Sequence, residues 1–236
     1  MTEFEVILAN SSIIRVSEIS HPDLFFALRG GGNNFGIVTE VTIEVFQNPP
    51  SWYAFQLWDQ EILGVIFERL EAYTAQMPPG IWQLATTLGW NPYWKDFVIS
   101  ERIVASELPD LPGSLKFPGD LFSNRVSGPL STYVYQRSTL EMTQKMDYMN
   151  PPGFYNYFGS VTVKNNAKAH LALADEFFNE ITKISHVSDL QAFIVYNPLT
   201  KEALEHMRKR GGNALGINVQ DGPLTSRFSL LIDIEP

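Results

Sequence analysis

The chain has 236 residues, 44% apolar and 13% aromatic, with 17 Lys and Arg against 26 Asp and Glu. That length holds one large domain, or one domain and part of a second. A net charge of −9 without an uninterrupted basic run argues against nucleic acid or an anionic membrane as partner, because both attract positive surface. The absence of cysteine removes disulfides, thiolate nucleophiles and thiolate-bound metals.

Phe4 to Ser17 predicts two short strands around the polar turn Asn10-Ser11-Ser12. Ser20-His21-Pro22-Asp23 then starts a short helix to Leu28, with Ser20 as its cap and Pro22 in its first turn. Ile37 to Phe46 alternates Val41, Ile43 and Val45 with Glu40, Thr42 and Glu44, the pattern of a half-buried strand. Asn48-Pro49-Pro50-Ser51 is the expected domain boundary, since two prolines stop a strand and stiffen a linker.

Beyond it, Trp52–Trp58 predicts a strand and Asp59–Met77 an amphipathic helix bearing Ile62, Ile66, Leu70 and Tyr73. Strands follow at Ile81–Gly89 and Asp96–Ala105, separated by the aromatic tip Trp90, Tyr93 and Trp94. Glu107 to Gly128, rich in proline and glycine, is expected to be an irregular loop. Ser138–Met149 predicts a helix, Phe154–Lys164 an aromatic strand, and Lys168–Ile184 a long helix with Leu171, Ala174, Phe178 and Ile181 on one face. Leu190–Tyr196 is a predicted strand, Leu199–Arg210 a helix, and Gly216–Val219 with Ser226–Ile234 a last pair of strands. Strands and helices mixed without a βαβ rhythm predict an α+β fold, an antiparallel sheet backed by helices.

The four histidines, His21, His170, His186 and His206, have no metal-binding spacing, and His170 and His186 read as surface residues beside the long helix. Met1 to Glu5 is acidic with no apolar core, so it is not a secretory signal, and no apolar run nears the ~20 residues that span a bilayer. A soluble cytoplasmic protein is the expectation.

Arg29-Gly30-Gly31-Gly32-Asn33-Asn34-Phe35-Gly36 invites a dinucleotide-binding reading, but Phe35 stands where the third glycine should be. The loop also opens a strand, whereas a Rossmann loop opens a helix whose N-terminus meets the pyrophosphate. A tight helix-to-strand connection explains it equally well.

The run His21 to Thr39 resembles the end of the flavin-binding domain in fungal berberine-bridge-like oxidases, of the PCMH-type FAD-binding fold. Pro151-Pro152-Gly153, Val161-Thr162-Val163-Lys164, Gly211-Gly212-Asn213-Ala214-Leu215-Gly216 and Asp221-Gly222-Pro223 are similar to successive parts of that family's substrate domain, in the family's order. The resemblance implies a β-rich remnant of the flavin domain over residues 1–48 and a substrate-binding α+β domain over 49–236. It implies a chain without the upstream basic loop, the flavin-attaching histidine or the terminal Asn-Tyr segment. FAD carries two phosphate charges that need amide or cationic partners. No cofactor is therefore the expectation, with FAD as the alternative, held through Gly31, Gly32, Asn33 and Asn34 if it binds.

Candidate chemistry falls into three groups. Alternation puts Tyr155 and Tyr157 on one face of their strand, where a hydroxyl can donate to a carbonyl or act as a general acid; each is also readable as a core ring. Tyr196-Asn197 ends a strand before Pro198, and the resemblance places a substrate-facing amide near there, although Asn197 also suits a turn. Glu202 and His206, four apart on one helix, can pair as a proton shuttle or form an exposed ion pair.

Three functions follow. One is a cofactor-independent enzyme of specialised metabolism that guides the isomerisation or cyclisation of a hydrophobic polyketide- or terpenoid-like intermediate. Another is an FAD-dependent oxidoreductase whose flavin site another chain completes, and the third is a non-catalytic binding protein. A homodimer is expected to cover the apolar surface left by the missing flavin domain.

Overall fold

The computed structural model describes residues 1–75, 80–92, 95–106, 130–149, 155–187 and 190–233. In chain order the elements are β1 (Glu3–Ile7), β2 (Ile13–Ser17), α1 (Pro22–Leu28), β3 (Ile37–Thr42), β4 (Ser51–Trp58), α2 (Leu63–Ala75), β5 (Ile81–Asn91) and β6 (Asp96–Ala105). There follow β7 (Ser131–Arg137), α3 (Thr139–Met149), β8 (Tyr155–Lys164), α4 (Ala167–Ile184), β9 (Gln191–Leu199), α5 (Lys201–Met207) and β10 (Leu224–Asp233). They divide into two compact units, Met1–Gln47 with Lys201–Gly222, and Asn48–Thr200 with Pro223–Pro236. Residues 201–222, which the sequence reading assigns to the second domain, group with the first unit.

In the first unit β2, β1 and β3 form an antiparallel sheet in that order. The pleat sends Phe4, Val6 and Val16 to one side, where they bury against Phe25 of α1, and the Phe4 and Phe25 rings lie 5.8 Å apart. On the other side Arg15 reaches Glu3 at 2.8 Å and both Glu5 and Glu40 at 3.2 Å, a solvated cluster of small energetic weight. The half-buried pattern expected for β3 is not realised: all six of its residues are exposed, and none joins the cluster that Phe4, Val6, Val16 and Phe25 form. Ser20 does not cap α1. Its hydroxyl donates to Arg15 O in the preceding turn, so His21 takes the N-cap position in left-handed conformation, with no side-chain cap.

The second unit is a seven-stranded antiparallel sheet in the order β7-β4-β6-β5-β9-β10-β8. One face carries α2 and α4. Between them and the sheet lie Ile62, Ile66, Phe67, Leu70 and Tyr73 against Leu84, Leu88, Ile99, Ile103 and Ile194. The periodicity expected for α2 is therefore observed, and Asp59 starts the preceding turn by accepting a bond from Glu61 N. On α4 the buried stripe runs through His170, Ala174 and Ile181, while Leu171 is turned outward.

His170 is thus a fully buried residue and not a surface one. Its Nε2 lies 2.8 Å from Asn165 Oδ1, which also accepts from Thr225 Oγ1. Asn165 Nδ2 donates to Glu71 O at 3.2 Å, so its oxygen must face His170, and Nε2 is the protonated ring nitrogen. This polar clamp ties the start of α4 to the end of α2.

Other expectations end differently. The helix expected to reach Arg210 stops at Met207, and Gly216–Val219 is not a strand, which leaves β10 alone at the C-terminal end. The loop expected at 107–128 lies outside the described residues, as do Tyr93 and Trp94. Among the described residues no helix is long and apolar enough to cross a membrane.

Candidate active site

The face of the second sheet opposite α2 and α4 is where alternation places Tyr53 and Phe55 of β4. Register sets Tyr135 of β7 and Val104 of β6 beside Tyr53, and Tyr133 and Arg102 beside Phe55. The Tyr53 and Tyr135 rings stack at 5.9 Å with planes 16° apart. Helix α3 closes one side. It begins with a capping box in which Ser138 N donates to Glu141 Oε2 at 2.8 Å and Glu141 N to Ser138 Oγ at 3.3 Å. The bonds from Ser138 hold the Glu141 carboxyl below its ordinary range. So anchored, α3 lays Met142 on Tyr53 and Val104, and Lys145, one turn on, over Tyr135 with Nζ 4.7 Å from the ring centre.

The result is a cavity of about 300 Å³ with aromatic and thioether walls and two cations, Arg102 and Lys145. That is the make-up of a small-molecule site: apolar walls with a few polar groups that fix orientation. None of its side chains was singled out from the sequence. The signal was available in Tyr133-Val134-Tyr135, which has the same period-2 aromatic spacing as Tyr155-Asn156-Tyr157.

The sequence candidates sit elsewhere. Tyr155 lies in β8, and its side chain is outside the described residues. Tyr157 is largely exposed on β8, an edge strand, opposite Leu231. Tyr196 is fully buried on the helix side, with Phe67 at 4.9 Å and His170 at 5.3 Å between ring centres. Asn197, half-buried opposite Ser226, faces the other way, toward the open face. Glu202 and His206 are exposed on α5 in the first unit, and no ion pair between them occurs among the described residues. His206 borders a cleft of about 630 Å³ shared with Arg29, Glu44, Lys209 and Arg210. No set of three or more metal-binding side chains occurs among the described residues.

The glycine loop belongs to the first unit and is packed against its own chain. A Cβ on Gly30 would stand 2.6 Å from Leu215 Cγ, and one on Gly31 would stand 2.3 Å from Ala27 O. Gly30 N and Gly31 N donate to Leu28 O and Ala27 O, while Gly32, Asn33 and Asn34 are exposed, with Asn34 Nδ2 turned back to Gly31 O at 2.8 Å. Arg29 stacks on Phe25 at 4.3 Å and donates to the carbonyls of Lys209 and Arg210. Burial keeps its guanidinium below its ordinary value, and the neighbouring Arg210 adds to this against the opposing pull of Glu18.

An antiparallel sheet backed by helices, with an aromatic pocket on its open face, defines an α+β architecture. No family profile matches the chain. The FAD-dependent monooxygenase FUP4 of Fusarium proliferatum is 25% identical over 94% of this chain and 44% of its own length. A Diaporthe leptostromiformis protein named oligopeptidase PhomG' is 44% identical over 95% of this chain, but over only 18% of its own length. The solved glucooligosaccharide oxidase of Acremonium strictum, whose FAD is 6-S-cysteinyl and 8α-N1-histidyl linked, superposes with a TM-score of 0.70 over 97% of this chain and 48% of its own, at 20% identity. The chain is thus similar in sequence to FAD-dependent enzymes and in fold to FAD-linked oxidases and a Physcomitrella patens BBE-like protein, and it spans about half the length of FUP4 and of these solved chains.

Part of the glycine loop is not free to hold a flavin, while Gly32, Asn33 and Asn34 stay exposed. Two amides and the cation of the glycine loop are committed to internal partners, and the positions that Cβ atoms would fill are taken by Leu215 and Ala27. No cysteine is available for a 6-S-cysteinyl link. No chemical step is therefore assigned to a flavin held by these residues.

Proposed function

We propose that this chain supplies the substrate-binding wall of a specialised-metabolism enzyme of the berberine-bridge-like family. The open face of its large sheet takes a hydrophobic, polyketide- or terpenoid-like substrate, and the flavin is gripped by groups other than the described residues. The observation that carries this reading is the aromatic cavity between β4, β7 and α3, where Tyr53, Phe55, Tyr133, Tyr135 and Met142 supply apolar area around two cations. Purified chain should release no stoichiometric FAD on denaturation and show no flavin band near ~450 nm, yet bind aromatic probes with an affinity that Tyr135→Ala weakens. Co-purifying FAD at one per chain would overturn the assignment of flavin contacts.

A second reading gives the same pocket its own chemistry, an isomerisation or cyclisation guided by shape and hydrogen bonds without a redox cofactor. The internal commitment of the glycine loop favours it. A rate enhancement on a pathway intermediate in FAD-free buffer would establish it, and its absence would leave the oxidoreductase reading.

Self-association belongs to the same proposal. Ile37, Ile43, Val45 and Phe46 are 68%, 59%, 85% and 80% exposed, an apolar run that water disfavours. A homodimer through this edge is the expected species in light scattering at micromolar concentration, and Val45→Asp with Phe46→Asp should return it to monomer. A monodisperse monomer of the unmodified chain rejects the dimer.

A further inference from the structure

We infer that the open-face pocket selects a substrate carrying an anionic group on an aromatic ring, an aromatic carboxylate being the simplest case. The inference rests on the substrate-pocket reading above and adds the charge of the ligand. The chain carries −9 overall, with 26 acidic residues, yet among the described residues the side chains lining this cavity include two cations and no carboxylate. A surplus of positive charge in a hollow of an acidic protein raises the local concentration of anions there.

The placement of those charges matters more than their number. Lys145 forms no ion pair with a carboxylate among the described residues; its ammonium stands 4.7 Å over the Tyr135 ring. Arg137, at the end of β7, approaches the same ring from 5.8 Å, and its Nη1 donates to Gln136 O. Arg102 is half-buried in β6, next to Phe55. The stacked pair Tyr53 and Tyr135 thus forms a wall with cationic groups near it. A flat ring laid along that wall gains apolar contact, and a carboxylate on its edge can accept charge-assisted hydrogen bonds from Lys145 or Arg102. A neutral ligand of equal shape would gain the apolar contact alone.

The test compares 2-naphthoate with 2-naphthamide, which share rings and outline but differ in charge, by titration calorimetry on the purified chain. The carboxylate is expected to bind about tenfold more tightly, a ratio that should shrink toward one in Lys145→Met and in high salt. Lys145 is exposed, so the variant should keep the circular dichroism of the parent. Equal affinities for the two probes, both lost in Tyr135→Ala, would overturn the anion preference and leave the pocket standing. If neither probe binds, or Tyr135→Ala changes neither affinity, the pocket reading itself fails and the preference falls with it.

Discussion

Replacing Glu101 with alanine is expected to lower the unfolding free energy by about 3–5 kcal/mol, the usual cost of stranding one half of a buried ion pair. Glu101 of β6 and Arg69 of α2 form that pair beneath the helices, with side chains 1% and 2% exposed. Glu101 lies in register between Gln56 of β4 and Thr86 of β5, all three buried, with Thr86 Oγ1 and Glu101 Oε1 3.5 Å apart. A polar band therefore crosses an otherwise apolar layer. Burial pulls the Arg69 guanidinium down to about 9 and pushes the Tyr73 hydroxyl above its ordinary range, and the two groups oppose each other's shift. A lone Arg69 would face the same desolvation without its carboxylate partner.

Joint replacement with apolar residues, Arg69→Met and Glu101→Leu, removes both charges and should recover most of the loss. Urea unfolding followed by circular dichroism measures all three proteins. A single-variant loss below about 1 kcal/mol, or a double variant no more stable than Glu101→Ala, would show that the pair is not the source of the effect.

How far the sequence carried depends on the length of each signal. Helix α2 was legible because Ile62, Ile66, Leu70 and Tyr73 repeat a helical spacing and all are buried. Helix α4 was legible in extent but not in rotation. Leu171 has the apolar side chain, but His170 holds the buried place because Asn165 and Thr225, the latter 55 residues further along the chain, complete its polar contacts. No local pattern shows such a partner. The glycine loop was legible as ancestry, while the commitment of its amides and of Arg29 depends on Leu215, Lys209 and Arg210, far away in sequence. The pocket was missed for the same reason. Tyr53, Arg102, Tyr135 and Lys145 come from four elements, and only strand register and the packing of α3 make them neighbours.

Tyr196 separates a site residue from a core residue most sharply. The sequence offers it as a site residue because it stands beside Asn197 at the end of a strand. In the fold it lies on the helix side, its ring edge-on to Phe67 at 4.9 Å and to His170 at 5.3 Å, while Asn197 faces the opposite side. Tyr196→Ala should therefore cost about 3–5 kcal/mol of stability by opening a cavity among α2, α4 and β9. Tyr196→Phe keeps the ring contacts and gives up only the hydroxyl's interaction, a loss of about 1 kcal/mol. Because the pocket is on the other face, the Phe variant should bind 2-naphthoate within about twofold of the parent by titration calorimetry. A Phe variant that melts like the parent but loses binding would return Tyr196 to the site and show that its hydroxyl acts across the sheet.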